Sequence, residues 1–272
     1  MKVITMAAWR RPDYFLKVIE SIENAEGIED YHLLVSIDGG YPDKQEEMRD
    51  ILGESNLDYT KIEIFAHEEN LGCAGNTGFI LAKGFEKADR VIHLEDDTVL
   101  HPDCLRFLEY NLEKYEDNEH IFSISAFTIP KWNDICLDGD WLEPNLVGIR
   151  DRFTCHAWAT WKRVWDEIKD SWFGIEFLES MPYPILQGED FLNHVKLTDK
   201  GSWANPMMHY WRRGRLEICS HTSFSQNIGR YDGWNTTDGV FFTEMDTPMF
   251  KPEQRVYDFD TDFVDDYLEE LE

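Results

Sequence analysis

The sequence has few basic residues, no closely paired cysteines and no long apolar run. Its 26 lysines and arginines stand against 54 aspartates and glutamates, which gives a formal net charge of −28. This charge disfavours nucleic acid and anionic membranes as partners, although a local basic groove would still be compatible with it. No stretch approaches the roughly 20 consecutive apolar residues that a spanning helix needs, so the sequence predicts no membrane span.

The cysteine pattern argues against a disulfide scaffold. Five cysteines are an odd number, and none of them forms a C-x-x-C pair, so neither a disulfide framework nor a zinc knuckle is indicated. The apolar run at the N-terminus gives way almost at once to two arginines and a proline, which is too short for a signal peptide. We therefore expect reduced thiols and a cytoplasmic protein.

Strand-like and helix-like segments alternate over the first half of the chain. Apolar runs predict strands over residues 3–8, 32–37, 62–65, 91–94 and 121–126. Helical spacing of apolar residues predicts helices over residues 14–22, 43–52, 79–85 and 103–115, with a small-residue loop over residues 69–78. This β-α-β alternation predicts the α/β class, with a mostly parallel sheet flanked by helices.

The second half of the sequence is less regular. Residues 130–152 show no periodicity and predict a long loop, whereas helices are predicted over 156–168 and 191–200 and a short strand near 202–206. Residues 220–239 are rich in serine, asparagine, glycine and threonine, which suits a mobile lid.

These patterns suggest one domain with two parts. We expect a domain over residues 1–250, with a first half over 1–126 and a second half over 127–250. Residues 251–272 form an acidic tail. An amphipathic helix through Phe263, Tyr267 and Leu268 is one interpretation of its end, and a solvated terminus is the simpler one.

The most informative segment is the end of the strand predicted at residues 91–94. Three consecutive carboxylates, Glu95, Asp96 and Asp97, follow the apolar run directly. In an open α/β sheet, ligands bind outside the carboxyl ends of the strands. Adjacent carboxylates repel one another unless a cation neutralises them, and hard oxygen ligands suit Mg²⁺ or Mn²⁺ carrying a diphosphate. The alternative is an acidic turn in which aspartate caps the next helix.

Several short motifs occur in an order that resembles one enzyme family. They are Trp9-Arg10-Arg11-Pro12, Ser36-Ile37-Asp38-Gly39, Asn70-Leu71-Gly72, Gly75-Asn76-Thr77-Gly78, and Leu94-Glu95-Asp96-Asp97 ahead of His101-Pro102-Asp103. This order, over about residues 2–230, resembles the GT-A glycosyltransferases, which use nucleotide sugars and carry a D-x-D metal motif. The Glu-Asp-Asp version and the later Phe122-Ser123-Ile124-Ser125-Ala126 are most similar to the N-acetylglucosaminyltransferase I and protein O-mannose N-acetylglucosaminyltransferase group.

The resemblance implies roles for the residues of the first half. Asp97 would coordinate the metal, Asp96 would hold the ribose and Glu95 would touch the donor sugar. Three further positions complete the nucleotide-sugar site. Asp38 would contact the nucleoside base, Arg11 and less certainly Arg10 would meet the diphosphate, and Asn76 stands in a motif of the same site. Structural alternatives remain open, because Asp38 can simply shape its turn and Arg11 can pair with Asp13.

The second half is expected to supply the catalytic base. Gly188-Glu189-Asp190 resembles the segment that carries the base in family 2 glycosyltransferases, so Asp190 is the candidate base and Glu189 the second choice. A helix cap is the alternative for Asp190. His221 fits a third metal ligand or a phosphate contact by position only, since a lone histidine is more often structural. Arg230 is a candidate to close over the diphosphate.

The sequence therefore predicts a metal-dependent, inverting glycosyltransferase. It would use Mn²⁺ or Mg²⁺ and move a hexosyl or N-acetylhexosaminyl group from a nucleotide sugar, with UDP favoured, to a glycan or glycoconjugate hydroxyl. One alternative is a nucleotidyltransferase that forms sugar nucleotides, but residues 7–12 lack the glycine-rich loop that such enzymes carry after strand one. The other is a non-catalytic module that binds a nucleotide sugar or a glycan.

Overall fold

A mixed β-sheet forms the centre of the computed structural model, which describes residues 1–128, 144–150, 153–172, 214–229 and 254–271. The strands are β1 (Lys2–Ala8), β2 (Tyr31–Ile37), β3 (Ile62–Ala66), β4 (Arg90–Glu95), β5 (Thr98–Leu100), β6 (Ile121–Ser125), β7 (Val147–Arg150), β8 (Trp158–Trp161), β9 (Leu216–Ser220) and β10 (Ser225–Asn227). The helices are α1 (Pro12–Glu23), α2 (Pro42–Glu54), α3 (Gly72–Phe85), α4 (Cys104–Lys114), α5 (Lys162–Ile168) and α6 (Asp262–Glu269).

The first half of the sheet is parallel throughout. Strands β3, β2, β1 and β4 lie side by side in that order, and each pairs in parallel with its neighbour. Near-continuous apolar runs form these strands because helices cover a parallel sheet on its faces. Helix α1 begins at Pro12, and its buried residues Phe15, Val18, Ile19 and Ile22 recur at helical spacing. The carboxyl ends of β1, β2 and β4 therefore meet at one edge.

The second half of the sheet is mixed. Strand β8 lies antiparallel to both β4 and β6, β9 is parallel to β6, and β7 is antiparallel to β9. Four of the seven pairings in the order β3-β2-β1-β4-β8-β6-β9-β7 are thus parallel and three are antiparallel. The predicted fold class, a mostly parallel α/β sheet flanked by helices, is confirmed. Among the described residues, no helix combines the length and the apolar character that crossing a bilayer requires.

Two predictions of local structure were wrong. Most of the small-residue segment at 69–78 is helical, because α3 begins at Gly72. Its glycines allow close packing on the sheet, and a Cβ at Gly84 of the same helix would lie 2.7 Å from Thr5 Cγ2. The predicted helix over 156–168 is a strand, β8, followed by the shorter α5. All four residues of β8 are buried, and periodicity alone cannot separate a short buried strand from a buried helix.

Other expectations were wrong in part or lie outside the described residues. The long loop predicted over 130–152 ends in a strand, β7, because its four buried residues pair with β9. The segment predicted as a lid starts with ordered structure, since β10 pairs with β5 in an antiparallel ribbon. The helix predicted at 191–200, the strand at 202–206 and most of the proposed lid lie outside the described residues.

The acidic C-terminal segment packs against the domain through α6, which buries Val264 and Leu268. A second anchor is Asp103, a fully buried residue at the start of α4. Its carboxylate accepts hydrogen bonds from Arg255 Nε at 3.0 and 2.9 Å and from the backbone N–H of Val256 at 3.0 Å, and Arg106 Nη1 lies 3.1 Å away. The tail is thus held by a paired ionic cluster, and the helical interpretation of its end is correct.

Candidate functional site

The three carboxylates stand at the carboxyl edge of the parallel half-sheet. Glu95 is the last residue of β4, and Asp96 and Asp97 form the tight turn into β5. The loop after β1 reaches across to them, because the backbone N–H of Trp9 donates to Asp96 Oδ2 at 2.8 Å. Asp96 is 4% exposed and Asp97 7% exposed, so both carboxylates are largely removed from water.

Arg11 is the cation that faces this acidic turn. Its guanidinium donates to Asp96 and lies 2.8 Å from Asp97 Oδ2, so a single arginine group serves two carboxylates. The alternative pairing of Arg11 with Asp13 is not the contact that the structure shows. Burial raises the pKa of Asp96 to about 7, with repulsion from Asp97 adding to it and attraction to Arg11 opposing it. Burial and repulsion from Glu95 likewise raise the pKa of Asp97. With both aspartates ionised, the turn would carry more negative charge than Arg11 alone offsets.

The opposite wall of the site comes from the segment after β9. Asn227 Nδ2 donates to Asp97 Oδ1 at 3.0 Å, and the backbone N–H of Ile228 donates to the Asp97 carbonyl at 2.8 Å. Gly229 packs against the carboxylate itself, because a Cβ there would overlap Asp97 Oδ2 and lie 2.8 Å from Arg11 Nη1. This close approach explains why the residue is glycine. The described part of the predicted lid thus touches the metal-ligand candidate directly.

A histidine and a cysteine that the sequence did not single out lie beside Glu95. His156 Nδ1 is 2.8 Å from Glu95 Oε2, and Cys155 Sγ lies 3.7 Å from His156 Nε2 and 3.8 Å from Nδ1. Ligand atoms of these three residues lie within 4.8 Å of one another. Burial lowers the pKa of His156, but Cys155 and Glu95 outweigh it and hold that pKa well above its ordinary value. The sequence signal for this pair is Cys155-His156 directly before a Trp-x-x-Trp run. The prediction of a helix over 156–168 hid this signal, and that prediction is wrong.

Asp38 and Asn76 lie at the same sheet edge, and the protein itself satisfies their side chains. The Asp38 carboxylate accepts hydrogen bonds from the backbone N–H groups of Gly39 at 2.9 Å, Leu71 at 2.6 Å and Gly72 at 3.0 Å. Asp38 therefore stabilises the local turns, as the structural alternative proposed. Its contact with a nucleoside base stays a prediction. The Asn76 amide donates to the carbonyl groups of Ala8 at 3.3 Å and Ser36 at 3.1 Å, which ties α3 to β1 and β2.

Of the remaining predicted residues, Arg10 and His221 are described, and three lie outside the described residues. Arg10 has a positive φ of 43° and stacks on Trp9, with 4.3 Å from its guanidinium carbon to the ring centroid. His221 is 2% exposed directly after β9, and its backbone N–H donates to the Leu146 carbonyl at 3.0 Å. Among the described residues, the group of possible metal ligands next to the triplet contains His156 and not His221. The remaining predicted positions, Asp190, Glu189 and Arg230, lie outside the described residues.

Solved structures that resemble this fold are glycosyltransferases, and no family model matches the sequence. The mannosyltransferase PcManGT from Pyrobaculum calidifontis, in complex with GDP-Man and Mn²⁺, is 12% identical over 61% of this chain and 46% of its own, with a TM-score of 0.43. TarS 1-349 from S. aureus, in complex with UDP, is 9% identical over 83% of this chain and 60% of its own, with a TM-score of 0.46. Mouse xyloside xylosyltransferase 1 is 9% identical over 78% of this chain and 80% of its own, with a TM-score of 0.45. The chain spans less than two thirds of the length of the first two.

Proposed function

We propose that this chain is a metal-dependent, inverting glycosyltransferase that moves a sugar from a nucleotide sugar, with UDP favoured, to a hydroxyl group of a glycan or glycoconjugate. One observation carries the proposal. Three consecutive carboxylates, of which Asp96 and Asp97 are buried and share a single arginine side chain, stand at the carboxyl edge of the parallel half of the sheet. That edge is where α/β folds bind nucleotides, and the excess negative charge there suits a cation that carries a diphosphate.

The residues present fit a divalent metal such as Mn²⁺ or Mg²⁺. Carboxylate oxygens are the hard ligands that these ions prefer, and Asp97 presents its carboxylate between Arg11 and Asn227. The raised pKa values of Asp96 and Asp97 indicate that both carboxylates gain from a further positive charge. Asp97 would hold the metal, and the bound metal would supply Lewis-acid stabilisation of the leaving diphosphate.

Arg11 is suited to bind the diphosphate of the donor. Its side chain is 23% exposed, so the guanidinium can keep one carboxylate and turn a second pair of N–H groups towards a phosphate oxygen. The N–H of Trp9 fixes the neighbouring Asp96, which we assign to the ribose. Glu95 completes the donor site, because its carboxylate ends β4 on the side of His156 and is 23% exposed.

Inversion requires a base on the acceptor side of the sugar. The base takes the proton of the acceptor hydroxyl while the new bond to the anomeric carbon forms, and the bond from that carbon to the diphosphate oxygen breaks. We assign this proton transfer to Asp190, with Glu189 as the second choice, on the resemblance of Gly188-Glu189-Asp190 to the family 2 segment. Arg230 is proposed as a further contact of the diphosphate, and His221 as a third metal ligand or a phosphate contact.

A donor screen tests the proposed function. Thermal shifts and hydrolysis of UDP- and GDP-sugars would be measured with and without Mn²⁺ on the wild type and on Asp97→Ala. We expect one donor to raise the melting temperature only with metal and only in the wild type. If no donor does so, the assignment of the triplet to a donor site is wrong. Release of pyrophosphate from a nucleoside triphosphate would point to a nucleotidyltransferase, and donor binding without turnover on a wide acceptor panel to a binding module.

A further inference from the structure

A sulfur, a nitrogen and an oxygen donor lie close together beside Glu95, the first of the three consecutive acids. Cys155 Sγ, the imidazole of His156 and the carboxylate of Glu95 have ligand atoms within 4.8 Å of one another. We propose that these three side chains form a site for a thiophilic divalent cation of the Zn²⁺ or Co²⁺ type. The site is separate from the oxygen-ligand site at Asp97, and its occupation does not depend on a nucleotide sugar.

The chemistry of the donors separates the two sites. Asp97 stands among oxygen and guanidinium groups, which suit Mg²⁺ or Mn²⁺. Cys155 and His156 instead offer the thiolate and imidazole that select zinc-like ions, and a carboxylate is a regular third ligand of such sites. Glu95 lies between the two sites because it is the first of the three acids and the one that contacts His156.

The distances suit tetrahedral coordination without a large rearrangement. Zinc–sulfur bonds of about 2.3 Å and zinc–nitrogen bonds of about 2.0–2.1 Å place the two ligand atoms about 3.6 Å apart. Cys155 Sγ and His156 Nδ1, the nitrogen that faces Glu95, are 3.8 Å apart. His156 Nδ1 and Glu95 Oε2 are at hydrogen-bond distance, 2.8 Å, and would separate by about 0.6 Å to share an ion. The side chains of His156 and Glu95 are 15% and 23% exposed, which gives an ion a route in and leaves room for a water ligand.

Neighbouring groups hold the imidazole in place. The Phe127 ring packs edge-on to the imidazole with centroids 4.8 Å apart, and Asn227 Nδ2 lies 3.3 Å from His156 Nδ1, a contact that an ion bound at Nδ1 would replace. Ala157, the residue after His156, has a positive φ of 54° that is rare for a non-glycine residue.

Cobalt absorption tests the site without any need for transferase activity. Co²⁺ would be titrated into the reduced full chain while the near-ultraviolet sulfur-to-cobalt charge-transfer band is recorded, followed by displacement with Zn²⁺. We expect the band in the wild type and in the matched controls Cys73→Ser and Cys136→Ser. Cys155→Ser is expected to lose the band, and His156→Asn to weaken Co²⁺ binding by more than about 100-fold, because loss of a ligand exceeds loss of a supporting contact.

The outcomes are distinct from those of the donor screen. Asp97→Asn should abolish metal-dependent donor binding and keep the cobalt band, and circular dichroism would confirm that each variant is folded. If Cys155→Ser does not fold, the His156→Asn and Glu95→Gln titrations decide the question. A wild type without the band, a band that survives Cys155→Ser, or a band that disappears in Cys73→Ser or Cys136→Ser would overturn the proposed site.

Discussion

Two clusters of carboxylate and arginine in this protein have opposite electrostatic character. At the start of α4, burial works against the charge of Asp103, but hydrogen bonds from Arg255 and Val256 outweigh it and lower the pKa of that carboxyl group. At the end of β4, burial and mutual repulsion dominate, and the pKa values of Asp96 and Asp97 are raised. The same residue types thus form a balanced cluster in one place and a cluster with unbalanced negative charge in the other.

The ratio of partners to carboxylates explains the difference. Asp103 alone receives two arginines and a backbone N–H, which satisfies its oxygens and docks the C-terminal segment. At the acidic turn, the single guanidinium of Arg11 faces both Asp96 and Asp97. A balanced cluster contributes to stability, whereas a buried surplus of negative charge lowers stability unless a ligand compensates it. Perturbed carboxylates of the second kind mark a candidate functional site.

The largest expected effect is that of neutralising the unbalanced cluster. Asp97→Asn should lower metal-dependent transfer by on the order of 10³-fold, since it removes the ligand through which charge on the leaving group is offset. Its melting temperature should equal or exceed that of the wild type, because one source of buried repulsion is gone. Steady-state kinetics and thermal melts measure both. Unchanged transfer in the folded variant would contradict the metal assignment.

A smaller effect is expected from crowding the same carboxylate. Gly229→Ala places a Cβ against Asp97 and Arg11, so the two side chains must move apart. A displacement of this size should lower transfer by roughly 10²-fold. The matched control is Gly53→Ala in α2, where a Cβ meets nothing within 4 Å and should raise stability by about 0.5–1 kcal/mol. Equal kinetics for the two alanine variants would show that the approach of Gly229 to Asp97 is unimportant.

Removing the balanced carboxylate should affect stability rather than chemistry. Asp103→Ala removes the buried acceptor that Arg255 and Arg106 share, leaves Glu26 as their remaining carboxylate, and should lower the free energy of unfolding by about 2 kcal/mol. This is less than for a fully buried pair, because both arginines are partly exposed. Denaturant titration measures the loss. The dependence of transfer on metal concentration should stay as in the wild type, and a shift in that dependence would remove the distinction between the clusters.

The two clusters should also respond to pH with opposite sign. The raised pKa of Asp96, about 7, means that its favourable contribution to stability is complete below the unfolded value of about 3.9 and is lost as pH rises through about 7. The lowered pKa of Asp103 means that its contribution is present above the unfolded value and is lost as pH falls through the folded one.

Unfolding free energies between pH 4.5 and 8 test whether Asp96 makes stability decline with rising pH while the contribution of Asp103 stays constant. In the wild type, the free energy of unfolding should decline with rising pH by at most about 1.4 kcal/mol per pH unit, and Asp96→Asn should remove this decline. Mn²⁺ should reduce the decline in the wild type, because it stabilises the ionised form of Asp96. Asp103→Asn should lower stability by a constant amount over this range. A decline that persists in Asp96→Asn would show that another group titrates there.

The parallel half of the sheet was predictable because its signals are local. Strand β4 and the three acids after it are contiguous, and the strand boundaries agree with the apolar runs to within one or two residues. Prediction failed where local signals are ambiguous. The four buried residues of β8 show no alternation between its faces, so their run was assigned to a helix, and His156 was assigned to the same helix. The pairing of Asp103 with Arg255 could not be predicted either, because Arg255 lies 152 residues further along the chain.

The sequence by itself determined that three carboxylates lie together at the end of a strand. Three adjacent carboxylates at a strand end predict a cation and a diphosphate, because their mutual repulsion follows from covalent connectivity alone. Only the tertiary structure decided what surrounds them. His156 reaches Glu95 across 61 residues and Asn227 reaches Asp97 across 130, through an antiparallel strand inserted beside β4 and a short ribbon on β5. Such contacts depend on strand pairing between distant segments, and that pairing leaves no trace in the local spacing of residues.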